Sequence, residues 1–422
     1  MFKFVSIFYL INILLFISGC NDDSNGQVDN PFEPVKMGLL VPLTGTLAEK
    51  GQARYHAALL AVQHLNEAGY PVEPIVADSE TNPTAATLAV QNLVDNEGIH
   101  ILIGSSASSV TIAVAEQVTI PRQIPQIAYS STSPLITDLA ADEGQDLLFR
   151  TVPPDTKQGI VLARLAYDMM GYRDVSILYI NDAYGQGLTQ VFTENFQALG
   201  GRISAAIAHN NELAPSYVAE LQQALTETAD ALVAISFSGH AHLYIKEAIE
   251  YDFFDQFLFV DGSKSEQLIE VVGAEVLEGL CGTNPSSSYS ESLEIFNMDY
   301  KMAYGESQVA FLANVYDAVI IGGLAAYSVQ ANGEALTPLT IRDHLRKVAN
   351  WPGKQVIAGI KSLKQGLKYL RQGLNINYVG ASGNLDFDEK GDVVTPIEIW
   401  CYQGGEIVSQ SLEVPCLLCG KK

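Results

Sequence analysis

Positive charge is what this chain has least of. Only 24 Lys and Arg stand against 48 Asp and Glu in 422 residues, a formal net charge of −24. No basic run occurs anywhere, so a nucleic acid is not an expected partner, since holding a phosphate backbone takes clustered cations. Charge of either sign is sparse at 17%, while 48% of residues are hydrophobic. That balance excludes a disordered chain and leaves enough apolar material for two sizeable cores. The Gly-x-Ser-x-Gly elbow of a serine hydrolase is absent. The seven His are scattered, and His240-Ala241-His242 lacks a third ligand at useful spacing. No catalytic residue, metal or cofactor is therefore expected.

Long apolar runs are also missing, with one exception. Phe4 to Ile17 is apolar and follows Lys3, but its fourteen residues fall short of the ~20 a spanning helix needs. It ends in Ile17-Ser18-Gly19-Cys20, which resembles the lipobox of bacterial lipoproteins. That resemblance implies a signal peptide over 1–20 and an acylated Cys20. The polar stretch 21–34 reads as a tether. No other apolar run is expected to cross a bilayer, so the protein is expected to be exported and held at the membrane by lipid alone, facing the periplasm or cell surface. Export permits disulfides. Cys281, Cys401, Cys416 and Cys419 allow three pairings, among which the sequence does not choose.

From Val35 onward, short buried runs alternate with helical patterns. Strands are expected at Lys36–Val41, Ile75–Ala77, Ile101–Ile103 and Gln126–Tyr129. After Pro153-Pro154 the pattern restarts, with strands at Val175–Ile180, Ile203–Ala208, Ala231–Ile235 and Phe257–Val260. The first helix is expected to bury Tyr55, Ala58, Leu59, Val62 and Leu65. A mostly helical region follows Gly282, and Ile397–Trp400 reads as the closing strand. This is an α/β chain of two lobes with parallel sheets. Ligands of such sheets sit beyond the carboxyl ends of the strands.

The loops at those ends hold the candidates. "IGSSASSVT", Ile103 to Thr111, and "YSSTSP", Tyr129 to Pro134, offer hydroxyls and main-chain N–H groups. With Ser108 as the cap of the following helix, the turn would favour a carboxylate. Tyr184 follows a strand of the second lobe, and Asp261 follows another, placed to take an ammonium group. Each residue also has a plainer use, as helix start, core residue or cap. Together they describe a carboxylate site, an ammonium site and an aromatic wall.

The segments "MGLLVPLTGTLAEKGQ", "ILIGSSASSVT", "QIAYSSTSP", "INDAYGQGL", "FLFVDGS" and "LDFDEKGDV" resemble, in order, those of the leucine/isoleucine/valine-binding proteins of ABC transporters. The resemblance implies the type 1 periplasmic binding protein fold, two Rossmann-like lobes joined by a three-segment hinge. Lobe 1 would comprise 35–150 and 283–390, lobe 2 would comprise 151–282 and 391–410, and 411–422 would form a tail. It implies capture of a small amino acid, branched-chain or related, between the lobes and delivery to an ABC transporter permease. Urea, amides or another small acid sensed for a receptor are the alternative. Ser108 and Thr132 would hold the α-carboxylate, with Ser106, Ala107 and Ser130 beside them, and Asp261 the ammonium. Tyr184 and Phe237 would cover the ligand. Lys50, where the family often has a large apolar residue, departs from a simple leucine pocket.

Overall fold

The computed structural model describes residues 32–287, 289–305 and 309–413. Cys20, residues 21–31 of the expected tether, Cys416 and Cys419 lie outside these residues, whereas Phe32 packs on Tyr70 and Tyr327 and Glu33 bonds Gln330. The described chain builds two major sheets. The first comprises β1 (Val35–Val41), β2 (Val72–Asp78), β3 (Ile101–Ile103), β4 (Gln126–Ala128) and β5 (Leu148–Arg150), in the order β2-β1-β3-β4-β5 and all parallel. The second contains β6 (Asp174–Ile180), β7 (Arg202–His209), β8 (Ala231–Ile235), β9 (Phe257–Phe259) and β10 (Cys281–Pro285). A small sheet of β11 (Lys354–Ile357), β12 (Ile376–Gly380) and β13 (Gly383–Asn384) follows. Then β14 (Ile397–Gln403) and β15 (Glu406–Glu413) complete the second sheet as an antiparallel hairpin, in the order β15-β14-β10-β9-β8-β6-β7.

Alternation of side chains across each strand decides the layers. Val35, Met37 and Leu39 of β1 join Ile101 and Ile103 against the helices Ala48–Ala68 and Leu312–Ala331. Leu40 and Leu102 point to the opposite face, into a second apolar cluster with Val110 and Val114. The helix Leu312–Ala331 is long and apolar enough to cross a membrane, contrary to the expectation that no further segment is. Almost all of it is buried inside the protein, where it serves as the core helix of the first lobe. The face of helix Ala48–Ala68 also differs from expectation. Tyr55 and Leu59 are only half-buried, while Arg54, Ala57, Leu60 and Ala61 point inward.

The chain passes from one sheet to the other three times, after Arg150, after Pro285 and before Ile397. Strand β10 carries the second sheet to Pro285, three residues past the expected crossing at 282. The expected final strand at Ile397–Trp400 is the first half of a hairpin that runs to Glu413, beyond the expected end of the lobe at 410. Strands β10 and β14 pair directly at Cys281 and Cys401, which form a disulfide across a sequence separation of 120. This selects one of the three pairings that the sequence leaves open.

A covalent loop of that length restricts the unfolded chain by about 4–5 kcal/mol on chain-entropy grounds. Replacing both cysteines, Cys281→Ser with Cys401→Ser, should lower unfolding stability by about 2–5 kcal/mol in guanidinium titrations. A loss under ~1 kcal/mol would contradict this account.

Candidate functional site

The loops beyond the strand ends of the two sheets face one another across a cleft. They enclose a narrow cavity of about 20 Å³ lined by Leu47, Lys50, Arg54, Ser106, Ala107, Ser108, Ser130, Tyr184, Phe237, Asp261, Gly262 and Phe311. Seven of the eight residues proposed from the sequence therefore lie on one surface. Thr132 does not. Its side chain is fully buried beside the Asp155 carboxyl, without a hydrogen bond of normal geometry, and its carbonyl accepts from Asp155 N at 2.8 Å. A wider groove near the crossovers, lined by Asn284, Phe296, Tyr300 and Asn314 among others, contains none of the candidates.

The serine turn is built differently from expectation. Ala107, not Ser108, occupies the N-cap, and Ser108 is the first helical residue. Its Oγ accepts from Ser133 N at 3.2 Å, which leaves its proton free to donate into the cavity. The hydroxyls of the neighbouring serines are used within the lobe. Ser106 Oγ donates to Tyr129 Oη at 2.9 Å, and Ser130 Oγ donates to the Ser106 carbonyl at 3.0 Å. Ser106 and Ser130 thus lock the two loops together. Ser105 is packed out of the cavity, bonded to the Ala107 carbonyl and to Thr111. Beneath the loops the buried Arg150 donates to the Ser131 and Ser133 carbonyls and pairs with Asp392. That pairing gives the "LDFDEKGDV" segment a structural role.

The second lobe supplies the opposite polarity. Asp182 caps the helix Ala183–Ala198 by accepting from Gly185 N at 2.9 Å, which sets Tyr184 at the cleft. Burial pushes the Asp182 carboxyl up to about 6. The Tyr184 ring stacks on Phe237, centroids 5.6 Å apart and nearly parallel. Tyr184 Oη donates to Asp261 Oδ1 at 2.8 Å and accepts from Gly262 N at 3.2 Å, and Gln158 Nε2 donates to the same carboxylate oxygen at 2.9 Å. A Cβ at Gly262 would sit 2.8 Å from the Tyr184 hydroxyl, so this turn has no room for a side chain.

Two buried acids share this region. Burial raises both Asp155 and Asp261, and the negative charge of Asp261 raises Asp155 further. Asp261 is opposed by hydrogen bonds from Tyr184 and Gln158 and by Lys50. The carboxylate oxygens of Asp155 make no hydrogen bond among the described residues. Thr132 and Arg150 oppose the rise of Asp155 only in part, so of the two acids Asp155 is raised further and Asp261 ionises first. On the first-lobe side, burial and then Arg54 bring Lys50 down to about 8.

The lobes already touch around the cavity. Ser133 Oγ donates to the Ala183 carbonyl at 2.6 Å, Ser238 Oγ to Glu49 at 3.3 Å, and Lys50 Nζ lies 3.5 Å from the Gly262 carbonyl. Three Ser–His contacts occur among the described residues, His209 with Ser236, His242 with Ser265 and His344 with Ser328. None of the six residues lines the cavity. Arg54, Phe311, Leu47 and Gly262 were not foreseen. Lys50, Arg54, Ala57 and Ala61 follow helical spacing, and that stripe was the available signal for Arg54.

A two-lobed α/β chain with a polar cavity closed between its strand ends is a ligand-binding protein of the periplasmic type. The receptor family ligand binding region matches residues 53–405, and the chain belongs to that family. A chemotactic signal transduction substrate-binding protein, BasB, of Halobacterium salinarum is 24% identical over 371 residues, 86% of each chain. A leucine-binding protein from Thermotoga maritima has the same fold, with TM-score 0.75 and 24% identity over 90% of this chain and 99% of that one. So does a branched-chain amino acid transporter substrate-binding protein from Streptococcus pneumoniae, solved with isoleucine. Its TM-score is 0.73 and its identity 21%, over 91% of this chain and all of that one. The family is defined by ligand binding, and this chain is not an enzyme.

The raised titration of Asp155 has a measurable consequence. A carboxyl whose folded pKa is raised destabilises the fold increasingly as pH climbs from its unfolded value, ~3.9, toward the folded one, by about 1.4 kcal/mol per unit. Asp155→Asn removes that titration. Its melting temperature relative to the parent protein should rise as pH climbs above ~4. A difference that does not change with pH would contradict this account.

Proposed function

We propose that this protein is an extracytoplasmic, lipid-anchored solute-binding protein that captures a free amino acid and presents it to an ABC importer. The observation that carries the reading is the polarity of the cavity. The Ser108 hydroxyl and the serine-loop main chain stand on one wall, and the Asp261 carboxyl on the other. An α-amino acid carries that pattern of charges, with carboxylate and ammonium on one carbon. Charge-assisted hydrogen bonds of this kind contribute about 1.5–3 kcal/mol each. The stacked Tyr184–Phe237 pair closes the space above the α-carbon. The isoleucine-bound relative from Streptococcus pneumoniae supports the same class of ligand.

Binding needs no chemistry in this reading. Ligand settles on the first lobe, and contacts from Tyr184, Phe237 and Asp261 form only on closure, so the ligand shifts the hinge equilibrium toward the closed form. The permease then reads the closed shape. Cys20 would carry the lipid that keeps the protein at the membrane outside the cytoplasm. A second reading, supported by the name of the Halobacterium relative, is that closure is read by a signalling receptor instead. Both readings use the same cavity.

A thermal-shift screen of the full chain in detergent against amino acids, benzoate and urea tests the ligand class. An amino acid at a hundredfold over its Kd should add about 2.7 kcal/mol of stability. Asp261→Asn should weaken amino-acid binding at least tenfold, about 1.4 kcal/mol. A change under twofold would remove Asp261 from the site. Cys20→Ala should move the protein from the membrane fraction to the soluble fraction of expressing cells and leave ligand affinity unchanged.

A further inference from the structure

The cavity lining is electrostatically lopsided. Lys50 and Arg54 stand four residues apart on one face of the helix Ala48–Ala68, within its first two turns. Three costs coincide there. Like charges at this spacing repel. The positive end of a helix disfavours cations. Burial, to 7% and 3% exposure, strips both groups of water. An arginine keeps its proton under such conditions.

What the structure offers in return is small. Arg54 Nε and Nη1 make no hydrogen bond among the described residues. The guanidinium carbon lies 5.8 Å from the centre of the Phe311 ring, which covers it. Lys50 reaches only the Gly262 carbonyl, at 3.5 Å. Among the described residues Asp261 is the sole acid in the lining, and its Oδ1 is already engaged by Tyr184 and Gln158. Of the neighbouring charges, Glu49 is exposed at the rim, and Lys264 is paired with Glu398 at 2.7 Å. Among the described residues the lining therefore holds two cations against one carboxylate, and Nε and Nη1 of the buried guanidinium are open donors.

We propose that the ligand is an acidic α-amino acid whose side-chain carboxylate is held by Arg54 and Lys50. This rests on the amino-acid reading and names its side-chain class. The charges then close. The ligand brings two carboxylates and one ammonium, a net charge of −1, to a lining of net +1. The α-carboxylate takes the serine loop, the ammonium takes Asp261, and the second carboxylate takes the fork of Arg54, a group suited to planar anions. A leucine side chain would instead press hydrocarbon onto unsatisfied N–H donors. Lys50, lowered by burial and by Arg54, regains its proton affinity when an anion arrives beside it.

Calorimetric titration of the full chain with L-glutamate, L-aspartate, L-leucine, L-isoleucine and L-valine tests the proposal. Glutamate or aspartate is expected to bind at least tenfold more tightly than any of the three apolar amino acids. Arg54→Met should weaken the acidic ligand at least thirtyfold and narrow or reverse that preference. Without ligand, this variant should melt no lower than the parent, because it removes a buried charge whose Nε and Nη1 lack hydrogen bonds. Lys50→Met should lower acidic-ligand affinity in the same direction, and serves if Arg54→Met does not fold. If an apolar amino acid binds as tightly as the acidic ones, the proposal is wrong and the amino-acid reading stands. An acidic ligand that binds Arg54→Met within threefold of the parent also overturns it. If no amino acid binds, both fall, and benzoate and urea become the ligands to pursue.

Discussion

Everything in the cleft turns on one buried carboxylate. Asp261 sits at the end of a second-lobe strand with little water to solvate it, so its charge must be held by protein groups. Tyr184 and Gln158 donate to it, and Lys50 reaches toward it from the other lobe. Those partners fix the ring of Tyr184, and the Tyr184 hydroxyl in turn fixes the Gly262 turn. Asp155 is raised further by the charge of Asp261, since two carboxylates in one desolvated region cannot both ionise cheaply. The second wall of the cavity is thus a chain of consequences from one charge.

The first wall has its own fastening. The serine loops carry no charge and are held by hydrogen bonds to each other and to Arg150 below them. Arg150 is buried, and its partner Asp392 comes from a segment more than two hundred residues later. The serine loops are therefore positioned in part by the third pass of the chain through the molecule, not only by their own neighbours in sequence. Closure around the cavity is equally specific. A Cβ at Gly187 would meet Pro134 Cδ at 2.7 Å, so the helix that carries Tyr184 comes as near to the first-lobe loop as a bare backbone permits.

Much of this was legible in the residues. Parallel-sheet strands are continuous apolar runs, and the eight strands expected in the two lobes match elements of the structure to within a few residues. Strands such as β10 and β15 were not recognised, because Cys-Gly-Thr-Asn-Pro and the half-exposed Glu406–Glu413 lack that apolar signature. They become strands by pairing with partners far along the chain. Ser108, Tyr184 and Asp261 could be named because strand ends are where such sheets place ligands. Thr132 was misplaced because a residue two positions from Ser130 in a loop can turn either way, and this one turns toward Asp155. Arg54 escaped notice for a different reason. An arginine one turn after a lysine reads as solvated surface until the helix is seen to roll that face inward.

The bridge between Cys281 and Cys401 has a mechanical meaning. Strands β10 and β14 lead directly into the second and third passages between the lobes, and they are joined both by the ladder from Cys281 to Pro285 and by the covalent bond. Two of the three straps of the hinge are therefore one laminated ribbon where they leave the second lobe. The lobes hang from two supports, a single strand after Arg150 and a double one. A ribbon of this kind bends across its thin direction and resists shear within its plane. A hinge motion of the lobes would thereby favour rotation about one axis over sideways sliding at the root.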